Sequence, residues 1–158
     1  MNRRVLSGLV AALALVALVG QSVRATTRLR GSRLLKLVDA MTPQAVRAGA
    51  AGRPLIARQL QLLREAEKAD PASVALVVAE AAQLFLLGRL DEAEVAYRRA
   101  LAMEPRAETW LNLGRTLWQK GNHAEAKEAF ARASALAPRL ADQIPAGGLD
   151  RADEDPSS

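Results

Sequence analysis

Two stretches of this chain repeat one pattern of apolar, small and polar positions at an interval of 33 residues. In the second stretch, Trp110, Leu113, Gly114 and Leu117 follow the i, i+3, i+4, i+7 spacing of one helical face. Each stretch predicts two antiparallel helices, and a period of this length is typical of stacked helical hairpins. The matched positions of the two copies are Gly88, Ala93, Tyr97, Ala100 and Pro105, and Gly121, Ala126, Phe130, Ala133 and Pro138.

The signature positions of the second copy resemble those of the tetratricopeptide repeat (TPR), with Leu117 where that family usually has tyrosine. The first copy departs further, because Glu80 stands where the family buries a leucine. We expect Glu80 to reach solvent or to pair with an arginine. The resemblance implies an all-α fold: a short TPR-like helical-hairpin solenoid with two clear repeats and a degenerate N-terminal helix pair, following an N-terminal hydrophobic helix.

Small residues and turn residues of the second copy fix its expected geometry. Gly114 and Ala126 lack bulk where the two helices cross, so the backbones can approach closely. Gly121 can take the positive φ that ends a helix cheaply. Asn122 followed by Glu125 predicts an N-terminal capping box. Proline cannot donate the next helical hydrogen bond, so each second helix should end near Pro105 or Pro138, the proline of its own copy.

The hydrophobic pattern and the prolines divide the chain into six segments. Ahead of the repeats, Thr42 and Pro43 predict the start of one helix, and Gly52 to Pro54 predict its end and the start of another. The helix after Pro54 reads as the second half of a degenerate repeat. The segments are a membrane anchor or signal at 1–24, a basic helical linker at 25–54, a degenerate repeat or capping helix at 55–73, TPR-like repeats at 74–105 and 107–138, and a short cap with a disordered acidic tail at 139–158.

The N-terminal segment is suited to a lipid bilayer. Residues 5–23 are uncharged and rich in Leu, Val and Ala. As a helix they would span about 28 Å, close to the hydrocarbon thickness of a bilayer. We expect a single-pass anchor, with a cleavable secretory signal ending at Ala25 as the alternative. The basic residues after the run favour cytoplasmic repeats, whereas a basic start before an apolar run also begins exported proteins.

Charge is distributed unevenly along the chain. Residues 1–64 hold 11 Lys or Arg against one acid, Asp39, and residues 65–158 hold 11 against 16 acids. The basic half adjoins the apolar run, where arginines can contact anionic head groups. Solvated arginines are the alternative. Nucleic acid is not expected, because residues 24–64 contain no aromatic side chain to stack on a base.

The resemblance places a partner-binding groove on the first helix of each repeat. We expect a protein or peptide partner there, and the function to be a membrane-tethered scaffold that assembles or positions a membrane complex. Phe85 and Trp118 are equivalent positions that should stand side by side, unless the chain's own N-terminal helices or a second copy cover them. The groove residues of this prediction are Val78, Ala82, Phe85, Leu111, Arg115, Trp118 and Gln119.

Nothing in the sequence points to catalysis, a cofactor or a metal. Cysteine is absent, and the single histidine, His123, stands at a predicted helix start without a metal-spaced partner. We therefore expect no enzyme activity. The alternatives to the membrane scaffold are a self-associating structural subunit and an exported soluble binding protein.

Overall fold

Six α-helices and two 3-10 segments follow one another along the part of the chain that the structure describes. The structure, a computed structural model, describes residues 3–149, with the side chains of residues 21, 22 and 25–149. Within that range there is no β-strand. The helices are α1 (Arg3–Arg47), α2 (Arg53–Ala69), α3 (Val74–Leu86), α4 (Leu90–Met103), α5 (Ala107–Lys120) and α6 (His123–Leu136), with 3-10 helices at Gly49–Gly52 and Pro138–Gln143.

The helices form three consecutive antiparallel pairs, so the all-helical solenoid is confirmed. α1 packs on α2, α3 on α4, and α5 on α6, and each pair contacts the next through α2 with α3 and α4 with α5. The degenerate N-terminal pair consists of α2 and the C-terminal half of α1. It is joined to the first repeat by the buried side chains of Val38, Leu63 and Leu76.

The core of the two clear repeats is built from small residues around a few large ones. Ala93, Ala126 and Ala133 have no exposed surface, and Phe130 is equally closed to solvent. Gly114 faces the Phe130 ring so closely that a Cβ at Gly114 would stand 2.5 Å from two ring carbons. The expected close crossing of α5 and α6 is therefore confirmed, and Phe130 occupies the space that Gly114 leaves.

The same turn joins the two helices of each clear repeat. Gly88 and Gly121 have φ values of 77° and 85°. The amide of Arg89 donates to the carbonyl of Leu84, and the amide of Asn122 donates to the carbonyl of Leu117, each at 2.9 Å. This is the hydrogen bond of a Schellman motif, and it satisfies a carbonyl at the helix end. The predicted role of Gly121 is confirmed.

Two local predictions are wrong. No helix starts at Thr42 and Pro43, because α1 runs through both residues. The Thr42 hydroxyl donates to the carbonyl of Val38 at 2.7 Å, and Val38 and Ala45, which flank the proline, are both buried. Tertiary packing on either side of Pro43 thus outweighs the hydrogen bond that its ring removes.

The capping box is the second error. Asn122 occupies the N-cap position of α6 but makes no side-chain capping hydrogen bond. The Glu125 carboxylate instead accepts a hydrogen bond from Arg98 at 2.6 Å. Glu125 therefore forms an ion pair with a neighbouring helix and does not serve as the acid of a capping box.

The predicted membrane segment lies mostly outside the described side chains. Of residues 5–23, only Gln21 and Ser22 have described side chains. Among the described residues, no helix has an apolar stretch long enough to cross a bilayer. The predicted tail beyond residue 149 also lies outside the described residues, and the predicted cap corresponds to the 3-10 helix Pro138–Gln143.

Two glycine substitutions test the close packing of the helices, and they should change the free energy of unfolding in opposite directions. Replacing Gly114 by alanine should destabilise the fold by about 1–3 kcal/mol, because the new methyl overlaps the buried Phe130 ring. Replacing Gly31 by alanine should stabilise the fold by about 0.5–1 kcal/mol. A Cβ at Gly31 would lie 3.6 Å from Leu76, an ordinary contact distance, and alanine favours the helix. Urea unfolding of both variants, followed by circular dichroism, measures the two changes. Equal effects would contradict the packing described.

Candidate protein-binding groove

The first helices of the three pairs lie side by side and form one face of the array. α3 contacts α1 on one side and α5 on the other. The residues predicted to form the groove all belong to α3 and α5. Packing between the first helices would therefore determine the shape of the predicted groove.

The α3 part of the groove is apolar and partly open. Val78, Ala82 and Phe85 are all half-buried. Val78 and Phe85 pack with their inner surfaces against the core of the clear repeats. These residues therefore offer a shallow apolar strip and also belong to the packing that holds α3.

The α5 part of the groove is more varied. Leu111 is 2% exposed and belongs to the core, so it offers no surface to a partner. Arg115 and Trp118 are half-buried, and Gln119 is exposed. The structure thus keeps six of the seven predicted groove residues at least partly accessible.

The chain's own C-terminal part covers part of Trp118. Its ring centroid lies 4.4 Å from that of His123 and 6.2 Å from that of Phe130. Gly147 packs against the indole, since a Cβ there would stand 3.7 Å from Cη2. Within the described residues no ring contact joins Trp118 to Phe85. Trp118 is half-buried, so part of its surface stays open to a partner.

The same C-terminal segment holds Arg115. Its guanidinium donates to the backbone carbonyl of Gln143 at 3.0 Å. Leu140 is 3% exposed and is part of the core. Residues 138–149 therefore close the end of the array where a further repeat would otherwise pack, as expected of a capping repeat.

The opposite side of the array carries a cluster of charges around Glu80. Glu80 is 8% exposed, and its carboxylate accepts a hydrogen bond from Arg64 Nε at 2.7 Å and lies 3.7 Å from Arg99. The expected arginine partner is confirmed. The hydrogen bond to Glu80 raises the pKa of Arg64. Burial raises the pKa of neighbouring Glu67, although Arg99 opposes this change.

A cavity of about 330 Å³ opens beside this cluster, between α2, α3 and α4. A cavity of about 110 Å³ occupies the equivalent place between α4, α5 and α6. Most lining positions recur at the 33-residue interval, so the repeat itself generates both depressions. The equivalent pairs are Glu80 and Leu113, Leu84 and Leu117, Glu92 and Glu125, Val95 and Glu128, Ala96 and Ala129, and Arg99 and Arg132.

The residues that the structure describes form no metal-ligating cluster. No three of their His, Asp or Glu side chains are placed to hold a metal ion. His123 packs its ring on Trp118, as the ring contact above shows. Its role in this structure is to cover the tryptophan.

Comparison with known proteins agrees with this geometry. Sequence models of the tetratricopeptide repeat match residues 107–140 and 84–106. A thermophilic TPR protein of Thermus thermophilus has a similar solved structure, with a TM-score of 0.66 and 26% identity over 78% of this chain. The chain covers 64% of the length of that protein. No curated protein matches the chain.

The fold and the sequence matches together define the class of the repeats. Residues 84–140, the part of the chain that the sequence models match, are tetratricopeptide repeats.

The only tyrosine of the chain reports on the packing behind the groove. Tyr97 is 2% exposed, and burial raises its pKa well above the usual value, with nearby Arg115 opposing the shift. Folding thus favours the neutral phenol. The stability that this buried phenol contributes is complete below the unfolded pKa of about 10, and it is lost as the pH rises above that value.

We expect tyrosinate absorbance to appear only as helicity is lost during alkaline titration. The Tyr97→Phe variant should lose less stability above pH ~10 than the wild type, because it has no phenol to ionise. Tyrosinate formation near pH ~10 with unchanged circular dichroism would contradict the burial of Tyr97.

Proposed function

We propose that this chain is a membrane-tethered scaffold that holds a segment of another protein in the groove of its TPR array. Its role would be the assembly or positioning of a membrane complex. The observation that carries the proposal is the partly open apolar strip of Val78, Ala82 and Phe85, which continues towards exposed Gln119. An extended or helical peptide with apolar side chains at regular intervals suits such a strip.

The charges of the groove favour a partner that is not anchored by a terminal carboxylate. Arg115, the basic groove residue of α5, already donates to Gln143. On α3, Val78 and Ala82 offer apolar contacts to a partner. We therefore propose recognition through apolar side chains, with Gln119 contributing hydrogen bonds at the edge.

The proposed membrane tether is supported by the sequence of residues 5–23 and by the continuity of α1. The helix begins at Arg3 and ends at Arg47. Its C-terminal half is part of the first helix pair, with Val38 and Ala45 buried. A bilayer segment at 5–23 would therefore connect to the array through helix, without a flexible linker, and would hold the groove at a defined angle to the membrane.

Site-specific photo-crosslinking in the native membrane tests the groove. A photoreactive residue at Ala82 or Gln119 should capture one partner protein, because both positions lie on the first helices. The matched controls are Ala102 and Ala131, which are exposed on the second helices α4 and α6 and should capture none. Equal capture from all four positions would contradict the groove. A product with twice the mass of the chain would favour the self-associating subunit.

Membrane extraction tests the tether separately. An anchored chain should remain in membranes after an alkaline carbonate wash and keep its first residues in the mass spectrum. Release of a chain that begins at Thr26 would contradict the tether and would favour an exported soluble binding protein. The crosslinking result does not depend on this outcome, so the two parts of the proposal can fail independently.

A further inference from the structure

The described basic residues at positions 28–36 of α1 differ from those of the repeats in how their charge is balanced. In the repeats most cations are held by acids at short distance, for example Lys120 by Asp91 at 2.6 Å and by Glu94 at 2.7 Å. These contacts neutralise the surface of the repeats locally. The basic residues of the repeats with an acid partner are Arg64, Arg89, Arg98, Arg99, Arg106, Lys120 and Arg139.

The cations at positions 28–36 of α1, whose side chains the structure describes, have no such partners. Arg28, Arg30, Arg33 and Lys36 are all exposed, and none forms an ion pair with an acid in the described part of the chain. Asp70 lines the same depression as Arg28, and no ion pair joins the two. We call these four cations the basic flank of α1.

The basic flank occupies a defined distance range from the apolar run. Arg28 lies about 7.5 Å along the helix axis from residue 23, and Lys36 lies about 20 Å from it. The head-group region of a bilayer is about 5–8 Å thick on each side. Electrostatic attraction in physiological salt decays over about 8–10 Å. Arg28 and Arg30 are therefore placed to contact head groups and Arg33 to sense their charge, whereas Lys36 lies just beyond that range.

We propose that the basic flank of α1 binds the anionic head groups of the bilayer that residues 5–23 enter, an inference that rests on the proposed membrane tether. Uncompensated cations beside an apolar helix match the negative potential of an anionic leaflet. A second copy of the chain fits this surface poorly, since it would bring two basic flanks together. Exposed Leu29 and Leu37 lie among these cations, and such a mixture is common on helices at membrane interfaces.

Lipid retention by the full chain tests the inference. The chain is reconstituted in vesicles of phosphatidylcholine with about 30% phosphatidylglycerol, and native mass spectrometry counts the lipids that remain bound after release. The wild type should retain phosphatidylglycerol in preference to phosphatidylcholine. Arg28→Gln should weaken that preference by about fivefold. Lys36→Gln should have a smaller effect, because it stands farther from the surface.

The triple variant Arg28→Gln, Arg30→Gln, Arg33→Gln should abolish the preference. Its matched control is Arg47→Gln, Arg58→Gln, Lys68→Gln, which removes as many exposed cations from positions outside the basic flank and should behave as the wild type. Retention of phosphatidylglycerol at the wild-type level by the first triple variant overturns the inference, even if that variant loses a protein partner. In that case the proposed tether still stands, provided that the first triple variant floats with the vesicles. Failure of the wild type to float with these vesicles refutes the tether, and this inference with it.

Discussion

The close approach of paired helices through residues without bulk is the constraint on which this structure depends. Gly114 lets the Phe130 ring lie against the α5 backbone, where a Cβ would overlap it. At the first pair, Gly52 lies against the backbone of Ala45, and a Cβ at Gly52 would stand 1.9 Å from the Ala45 carbonyl oxygen. With aromatics at 3% of the residues, the core gains its packing density from short distances between backbones. Few large side chains are needed for that.

This packing also determines what the surface can do. Because the second helices support the first ones at fixed positions, the side chains of α3 and α5 form one continuous face. The C-terminal segment then covers part of it through Arg115 and Trp118. The open apolar strip is therefore concentrated on α3. α1 continues from the array towards the apolar N-terminus, so one helix would link the proposed bilayer contact to the array that carries the proposed groove.

Features set by the repeat could be predicted from the sequence, and features set by contacts between distant residues could not. The helix pairs and the turn at Gly121 follow from local pattern. The acid at a position that usually holds leucine indicated that Glu80 reaches solvent or pairs with an arginine, but not which arginine. Pro43 inside α1 could not be predicted, because its tolerance depends on burial of Val38 and Ala45 against a later helix. The cover on Trp118 comes from Gly147, which carries no periodic signal. Likewise, the pairing of Glu125 with Arg98 overrides a local capping motif.

A double-mutant cycle between Gly114 and Phe130 tests the central claim most directly. The variants Gly114→Ala and Phe130→Leu and their combination are compared by the free energy of unfolding. Leucine gives the new methyl room, so the double variant should be more stable than the sum of the single effects predicts, by about 1–2 kcal/mol. Additive single effects would show that the two residues do not touch, and would contradict the packing that forms the groove.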